Sequence, residues 1–184
     1  MAVVRGLLLA AGAGRRLGGP KALVRDADGT SWLVRAVTAL ADGGCDGVTV
    51  VHGAAADEAR ALVPAGAEVV VADDWAEGMG ASLRAGLAAL DRAADAALVS
   101  LVDLPDVGAD VVARVLAVGA GPGVLARAAY GGRPGHPVLL GCDHWTGVAA
   151  SATGDRGARD YLSSHDVALV ECGDLATGRD VDHR

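Results

Sequence analysis

Residues 7–21 read Leu7-Leu8-Leu9-Ala10-Ala11-Gly12-Ala13-Gly14-Arg15-Arg16-Leu17-Gly18-Gly19-Pro20-Lys21. The three leucines close a short apolar run, Ala2 to Leu9, whose length and density suit a buried strand better than a helix. That strand passes directly into a loop with four glycines in eight residues, Gly12, Gly14, Gly18 and Gly19. Glycines let the backbone approach a ligand closely and turn its N–H groups toward an anion, while Arg15, Arg16 and Lys21 supply positive charge. A strand that ends in a phosphate cradle is how an open α/β sheet builds its binding crevice, so this stretch bears on fold and chemistry together.

Two familiar glycine loops do not fit it. The dinucleotide fingerprint GxGxxG needs a third glycine one residue earlier than Gly18, and Arg15-Arg16 would crowd the start of its helix. The P-loop needs Gly-Lys followed by Ser or Thr, whereas Pro20 separates Gly19 from Lys21 and Ala22 follows. A purely structural turn would leave three neighbouring cations unexplained. Lys21 is further set apart because 15 of the 16 basic residues are arginine. In a chain that also lacks Phe, Ile, Asn and Gln, position 21 is where a compact ammonium has resisted exchange for a planar guanidinium.

Working outward, apolar runs alternate with helical patterns to the end of the chain. Val48 to His52, Glu68 to Ala72, Ala97 to Leu101, Gly123 to Ala128, Pro137 to Leu140 and Asp166 to Val170 read as strands bounded by Gly, Pro or Asp. Between them, Trp32, Leu33, Ala36, Val37 and Leu40 recur at helical spacing. So do Ala59, Leu62 and Val63, then Leu83, Leu87 and Leu90, then Val111, Val112, Val115 and Leu116. The expected fold is three-layer α/β/α with a mainly parallel, Rossmann-like sheet. No linker, repeat or composition shift divides the chain, so residues 1–184 are expected to form a single domain, with Gly119 to Arg184 richer in loops.

Composition bounds the function. With 52% hydrophobic and 21% charged residues the chain is too apolar to be disordered, and it has no run of the roughly 20 apolar residues that a membrane helix requires. A net charge of −7 disfavours nucleic acid and anionic membranes as partners. Arg5 precedes only a few leucines and alanines before Arg15-Arg16, which is not a signal peptide. Cys45, Cys142 and Cys172 are odd in number and widely spaced, as reduced thiols in a cytoplasmic protein would be.

Other candidate groups follow strands or open helices. Asp103, in Leu101-Val102-Asp103-Leu104-Pro105-Asp106-Val107, lies just beyond a buried strand, where one or two carboxylates hold Mg²⁺ against phosphates. Asp106 suits the first turn of the helix that begins near Val111. Ser82, in Gly78-Met79-Gly80-Ala81-Ser82-Leu83, enters a helix with its hydroxyl and the first-turn N–H groups free for a polar ligand edge. The turn Gly131-Gly132-Arg133-Pro134-Gly135 presents His136 ahead of a short strand. His52, His144 and His165 form no recognisable spacing.

The loop written LAAGxGxRxGxxK here resembles the signature of MobA-like nucleotidyltransferases, which have the nucleotide-diphospho-sugar transferase type of fold. Further segments match in order along nearly the whole chain: LVDLPDV, GMxxSLxxG, GHP at Gly135-His136-Pro137, and GDxGAR at Gly154 to Arg159. The resemblance implies a nucleoside triphosphate held by the loop residues Ala10, Ala11, Gly12 and Gly14, with Arg16 and Lys21 on its oxygens and Gly80 and Ser82 facing its base and ribose. It implies metal ligation by Asp103, and by Asp182 within Asp180-Val181-Asp182. That last segment keeps only the start of the family's Asp-x-Asp-Thr-Pro-Glu-Asp, with His183 and Arg184 after it, so fraying is expected there.

His136, Arg156 and Arg159 would face an acceptor. The Ala-Ala-Gly form and the GHP and GDRGAR segments resemble molybdenum cofactor cytidylyltransferases. That branch transfers CMP from CTP to a molybdopterin-type phosphate with Mg²⁺ and releases pyrophosphate, and a downstream molybdoenzyme or its chaperone is a conceivable partner. In-line phosphoryl chemistry needs positioning and charge neutralisation and no covalent nucleophile, and the sequence offers no nucleophilic triad. Transfer to a sugar or polyol phosphate, or a non-catalytic nucleotide-binding regulatory module, would leave the same nucleotide half.

Overall fold

The opening strand lies near the middle of a seven-stranded sheet in the computed structural model, which describes residues 1–182. The strands are β1 (Val4–Leu9), β2 (Val48–His52), β3 (Glu68–Val71), β4 (Ala96–Leu101), β5 (Leu125–Tyr130), β6 (Arg133–Gly141) and β7 (Ala168–Glu171), in spatial order β3-β2-β1-β4-β6-β5-β7. β1 is flanked by β2 and β4, both parallel to it. The chain first winds outward through β2 and β3, then returns to place β4 on the other side of β1. The loops that leave β1 and β4 therefore open onto the crevice where strand order reverses, the place such sheets bind ligands.

Helices cover both faces, as the sequence predicts. On one, α1 (Trp32–Asp42), α2 (Ala56–Arg60) and α4 (Ala109–Leu116) set Leu33, Val37, Leu40, Ala59, Val111 and Val112 against Leu8, Val50 and Leu98. On the other, α3 (Met79–Ala89), α5 (Cys142–Ser151) and α6 (Arg159–Ser163) set Leu83, Leu87, Val148 and Leu162 against Leu7, Val51, Val99 and Leu140. Each such side chain gains about 1.5–3 kcal/mol on leaving water. Ser31 caps α1 by accepting the Val34 N–H at 3.4 Å. Gly43 ends that helix where a side chain would meet Val112 at 2.3 Å, so the glycine sets how closely α1 and α4 approach.

The last third departs from expectation. Gly131 and Gly132 have φ of 60° and 76° and join β5 to β6 as a two-residue hairpin, the backbone that primed turns require. β6 is therefore antiparallel to both β4 and β5, and it runs from Arg133, well before the expected Pro137. His136 consequently lies within a strand and not on a turn before one. Helix α5 has only one buried residue, Val148, and so shows no apolar stripe to read. Helix α2 stops at Arg60, leaving Leu62 and Val63 in the turn beyond. Among the described residues no helix is long and apolar enough to cross a membrane, and Cys45, Cys142 and Cys172 are unpaired.

Candidate functional site

The loop after β1 folds back on itself. Gly14 accepts the N–H groups of Leu17 and Gly19, and Gly12 accepts that of Lys21. Gly14 has φ of 57°, and a side chain there would strike the Gly19 carbonyl oxygen at 1.9 Å, so this turn admits only glycine. Pro20 leads into a short 3₁₀ turn over Lys21–Leu23, with Ala22 fully buried. The turn anchors the lysine backbone and leaves its side chain reaching back across the sheet edge.

There it meets the end of β4. Lys21 Nζ lies 2.5 Å from Asp103 Oδ2 and 2.6 Å from Asp182 Oδ1. Asp103 is only 7% exposed. Burial opposes the charge on Lys21, but the hydrogen bonds to Asp103 and Asp182 outweigh it and raise its pKa above 10.5. The same contact holds the Asp182 carboxyl below its usual range. Arg16 Nη1 stands 3.9 Å from Asp182 Oδ2 and is largely exposed, whereas Arg15 lines the cavity.

Two sets of contacts hold the segment that bears Asp182 in place. The Val181 N–H donates to the Asp103 carbonyl at 3.0 Å, and both the N–H and hydroxyl of Thr177 donate to Asp106 Oδ2 at 2.6 Å. Asp106 thus fastens this segment, and the first-turn acid of α4 is Asp110. Asp180 joins Asp103 and Asp182 in a cluster whose ligand oxygens lie within 4.8 Å of one another. Three convergent carboxylates suit a hard divalent cation with oxygen preference, so the residues present fit Mg²⁺. Asp180 was not singled out from the sequence; the alternating Asp-x-Asp was the available signal.

A cavity of about 410 Å³ opens beside this cluster, lined by Ala11, Gly12, Gly14, Lys21, Ser82 and Asp103, with Trp75 and Asp155 on its far wall. Ser82 is buried on α3 and lines this space. Gly80 is placed elsewhere: a side chain on it would meet the Ala152 and Thr153 backbone at 2.8 Å, so it lets α3 pack against the end of α5. Ala10 is buried below the loop, its N–H given to Val51. Trp75 carried no sequence signal. It closes over Gly53, where any side chain would strike its ring carbon at 2.4 Å.

A second cavity of about 330 Å³ adjoins the first and shares Leu9, Met79, Leu101 and Asp155 with it. His136, Arg156 and Arg159 line it, as does Asp180. Burial, and then the charges of Arg127 and Arg159, push the His136 imidazole down to about 4, so it is neutral at pH 7. Arg156 is exposed and paired with Asp160 at 2.7 Å; Arg159 has no such partner among the described residues. Arg127, half-buried on β5, also lines this space and had no sequence signal inside an apolar strand.

Comparison with known proteins places this geometry. The family model for the MobA-like NTP transferase domain matches residues 6–169. Nicotine blue oxidoreductase from Paenarthrobacter nicotinovorans is 42% identical over 97% of this chain and 92% of its own length. The crystal structure of the Rv0371c protein of Mycobacterium tuberculosis H37Rv superposes with a TM-score of 0.80 at 30% identity, covering 99% of this chain and 94% of the other. The same protein in complex with manganese gives a TM-score of 0.77 at 28% identity, covering 98% and 94%.

Proposed function

The chain belongs to the MobA-like NTP transferase family and is a nucleotidyltransferase enzyme, and from that premise we propose that it moves CMP from CTP to the phosphate of a molybdopterin-type acceptor. The observation that carries this reading is the meeting of Lys21 with Asp103 and Asp182 at the mouth of the glycine-loop cavity. An ammonium and a carboxylate cluster beside turned backbone N–H groups is what a metal-bound triphosphate needs and what a simple structural loop does not.

In this reading Asp103, Asp180 and Asp182 hold Mg²⁺, which supplies charge neutralisation on the phosphates and orients them. The loop N–H groups at Gly12 and Gly14 hold the β- and γ-phosphates and retain the leaving pyrophosphate. Lys21 exchanges its carboxylate partners for phosphate oxygens and stabilises charge building at the α-phosphorus. Ser82 and Trp75 border the ribose and base. The acceptor phosphate, already ionised, attacks the α-phosphorus in line from the second cavity, so no side chain has to remove a proton. Residues 1–184 act as one unit.

The test is a pyrophosphate-release screen crossing four nucleoside triphosphates with molybdopterin and a set of sugar and polyol phosphates. Release with CTP and molybdopterin is expected. Release only with a sugar or polyol phosphate replaces the acceptor. Binding of CTP and Mg²⁺ without release from any acceptor would make the protein a nucleotide-binding regulatory module.

A second reading is favoured by the relative named as an oxidoreductase. The two adjoining cavities would then seat a nucleotide-bearing reductant and a planar electron acceptor. Cys45, whose thiol burial raises to about 12, and Cys172 are buried, and this reading takes a reduced nicotinamide dinucleotide as the source of the reducing equivalents. Oxidation of NADH or NADPH by a dye acceptor, without pyrophosphate release in the screen above, would establish it.

A further inference from the structure

The second cavity has an apolar floor and an unusual charge above it. Leu83 from α3, Val99 from β4 and Val138 and Leu140 from β6 form the floor. Arg127 rises among them from β5. Its Nε and Nη2 donate to the Gly135 carbonyl at 3.1 and 3.0 Å. A guanidinium carries five N–H groups, so three of them find no acceptor among the described residues.

No carboxylate pairs with Arg127 among the described residues, and none pairs with Arg159 on the same cavity wall. Arg5, Arg35, Arg84, Arg114 and Arg156 each hold an acid, and what sets Arg127 apart from exposed arginines without one, Arg159 included, is that it is half-buried. Asp155 lines the cavity but is ion-paired to neither guanidinium. Asp180, which also lines it, belongs to the carboxylate cluster with Asp103 and Asp182. His136 beside them is neutral.

Placing two like charges near one another over an apolar floor gives folding nothing in return, since a half-buried guanidinium without a counter-charge is destabilising. The proximity is felt by Arg127, whose pKa burial lowers first and Arg159 lowers further. The missing partner is an anion that arrives from outside, and the planar fork of Arg suits a carboxylate or phosphate held through two hydrogen bonds.

We infer that the acceptor of this enzyme carries a second anionic group, apart from its reacting phosphate, which Arg127 and Arg159 bind in this cavity. Its planar or apolar body lies on the Leu83, Val99, Val138 and Leu140 floor. The inference rests on the nucleotidyl-transfer reading for the position of the reacting phosphate, but the anion site stands on geometry alone.

The test uses two isosteric probes, para-carboxyphenyl phosphate and para-nitrophenyl phosphate, titrated by calorimetry into the protein with and without CTP and Mg²⁺. In the wild type the carboxylate should bind about tenfold more tightly or better, as an arginine-paired anion does relative to a neutral isostere. In Arg127→Met, which keeps much of the apolar stem, the preference should fall to near unity, with Arg127→Lys between, while CTP affinity stays at the wild-type value and the melting temperature does not fall. Equal binding of the two probes to the wild type, failure of both to bind at millimolar concentration, or a preference retained in Arg127→Met would overturn the inference. A carboxylate preference abolished by Arg127→Met in a protein that releases no pyrophosphate would sustain the anion site and remove the nucleotidyl-transfer reading.

Discussion

The Val181 N–H donates to the Asp103 carbonyl at 3.0 Å, so the segment bearing Asp180 and Asp182 is laid directly against the strand end that supplies the third carboxylate. Three residues further on, Asp106 fastens Thr177 through two hydrogen bonds. One loop after β4 therefore both provides one carboxylate of the cluster and positions the other two. Asp106→Ala removes the outer fastening. These bonds are exposed, so the stability loss should be about 1 kcal/mol, or ~2–4 °C in melting temperature for a domain of this size. The KM for the Mg²⁺–triphosphate should rise by about tenfold, because Asp180 and Asp182 lose their fixed position. A KM that does not change would show that the Val181 contact alone suffices.

Lys21 reaches two carboxylates at 2.5 and 2.6 Å from a side chain that is 19% exposed. A planar guanidinium is too broad to enter between Asp103 and Asp182 at those distances without displacing one of them. Lys21→Arg should therefore keep the positive charge and still lower the rate of pyrophosphate release by about a hundredfold or more, the scale of losing one transition-state donor. The raised pKa of Lys21 keeps the ammonium charged through neutral pH, so no loss of activity between pH 7 and pH 9 should trace to this group. Near-normal turnover of Lys21→Arg would take the lysine out of the mechanism.

Asp103→Asn keeps the shape of the buried side chain and removes its charge. Calorimetric titration with Mg²⁺ and CTP should show affinity reduced by about a hundredfold, in line with loss of a buried charged ligand. Titration without metal should change much less. Unaltered Mg²⁺-dependent affinity would rule out ligation by Asp103.

Much of this arrangement was legible because it lies where sequence signals are strongest. The strand ending at Leu9, the glycine loop and Lys21 are local features, and β4 is an apolar run with its acid at the end. Parallel topology then brings the two loops together. What escaped has a physical explanation. The antiparallel β6 follows from Gly131-Gly132 taking positive φ at both positions, a hairpin signal read as a plain turn. Arg127 hides inside an apolar strand, and its inward direction is set by pairing with Val138 on β6. Trp75 reaches the cavity only because Gly53, on a distant loop, leaves room for it. The role of Asp106 depends on Thr177, 71 residues away, a separation no local pattern reports.

His136 provides a pH dependence. Its folded value of about 4 lies below the unfolded 6.5, so the unfolded chain takes up the proton first as pH falls. The stability this group contributes is complete above about pH 6.5 and is lost progressively toward pH 4, by about 2 kcal/mol once partial exposure is allowed for. Urea midpoints measured at pH 7 and pH 4.5 should therefore differ more in the wild type than in His136→Gln. His52, fully buried with both ring nitrogens unpartnered and its pKa lowered by burial and by Arg60, titrates in the same sense. The variant should retain the part of the slope that His52 contributes. Equal pH slopes in the two proteins would show that His136 titrates as an exposed imidazole.

Ala11 bears on the choice of base. It is 5% exposed, lines the nucleotide cavity, and its methyl carbon would lie 2.9 Å from a side chain built on Gly53, in the same corner that Trp75 fills. A methyl group, a glycine and an indole ring packed together leave that wall no freedom to retreat, since close-packed surroundings relax only partially. A pyrimidine needs less space than a purine, so the wild type should favour CTP over GTP in a competition assay for pyrophosphate release. Ala11→Gly frees the volume of a methyl group at the wall. It should narrow the preference by about fivefold to tenfold, the discrimination that one methylene-sized difference supplies. A wild type that prefers GTP, or an Ala11→Gly variant with an unchanged ratio, would show that base selection lies with other residues of the cavity.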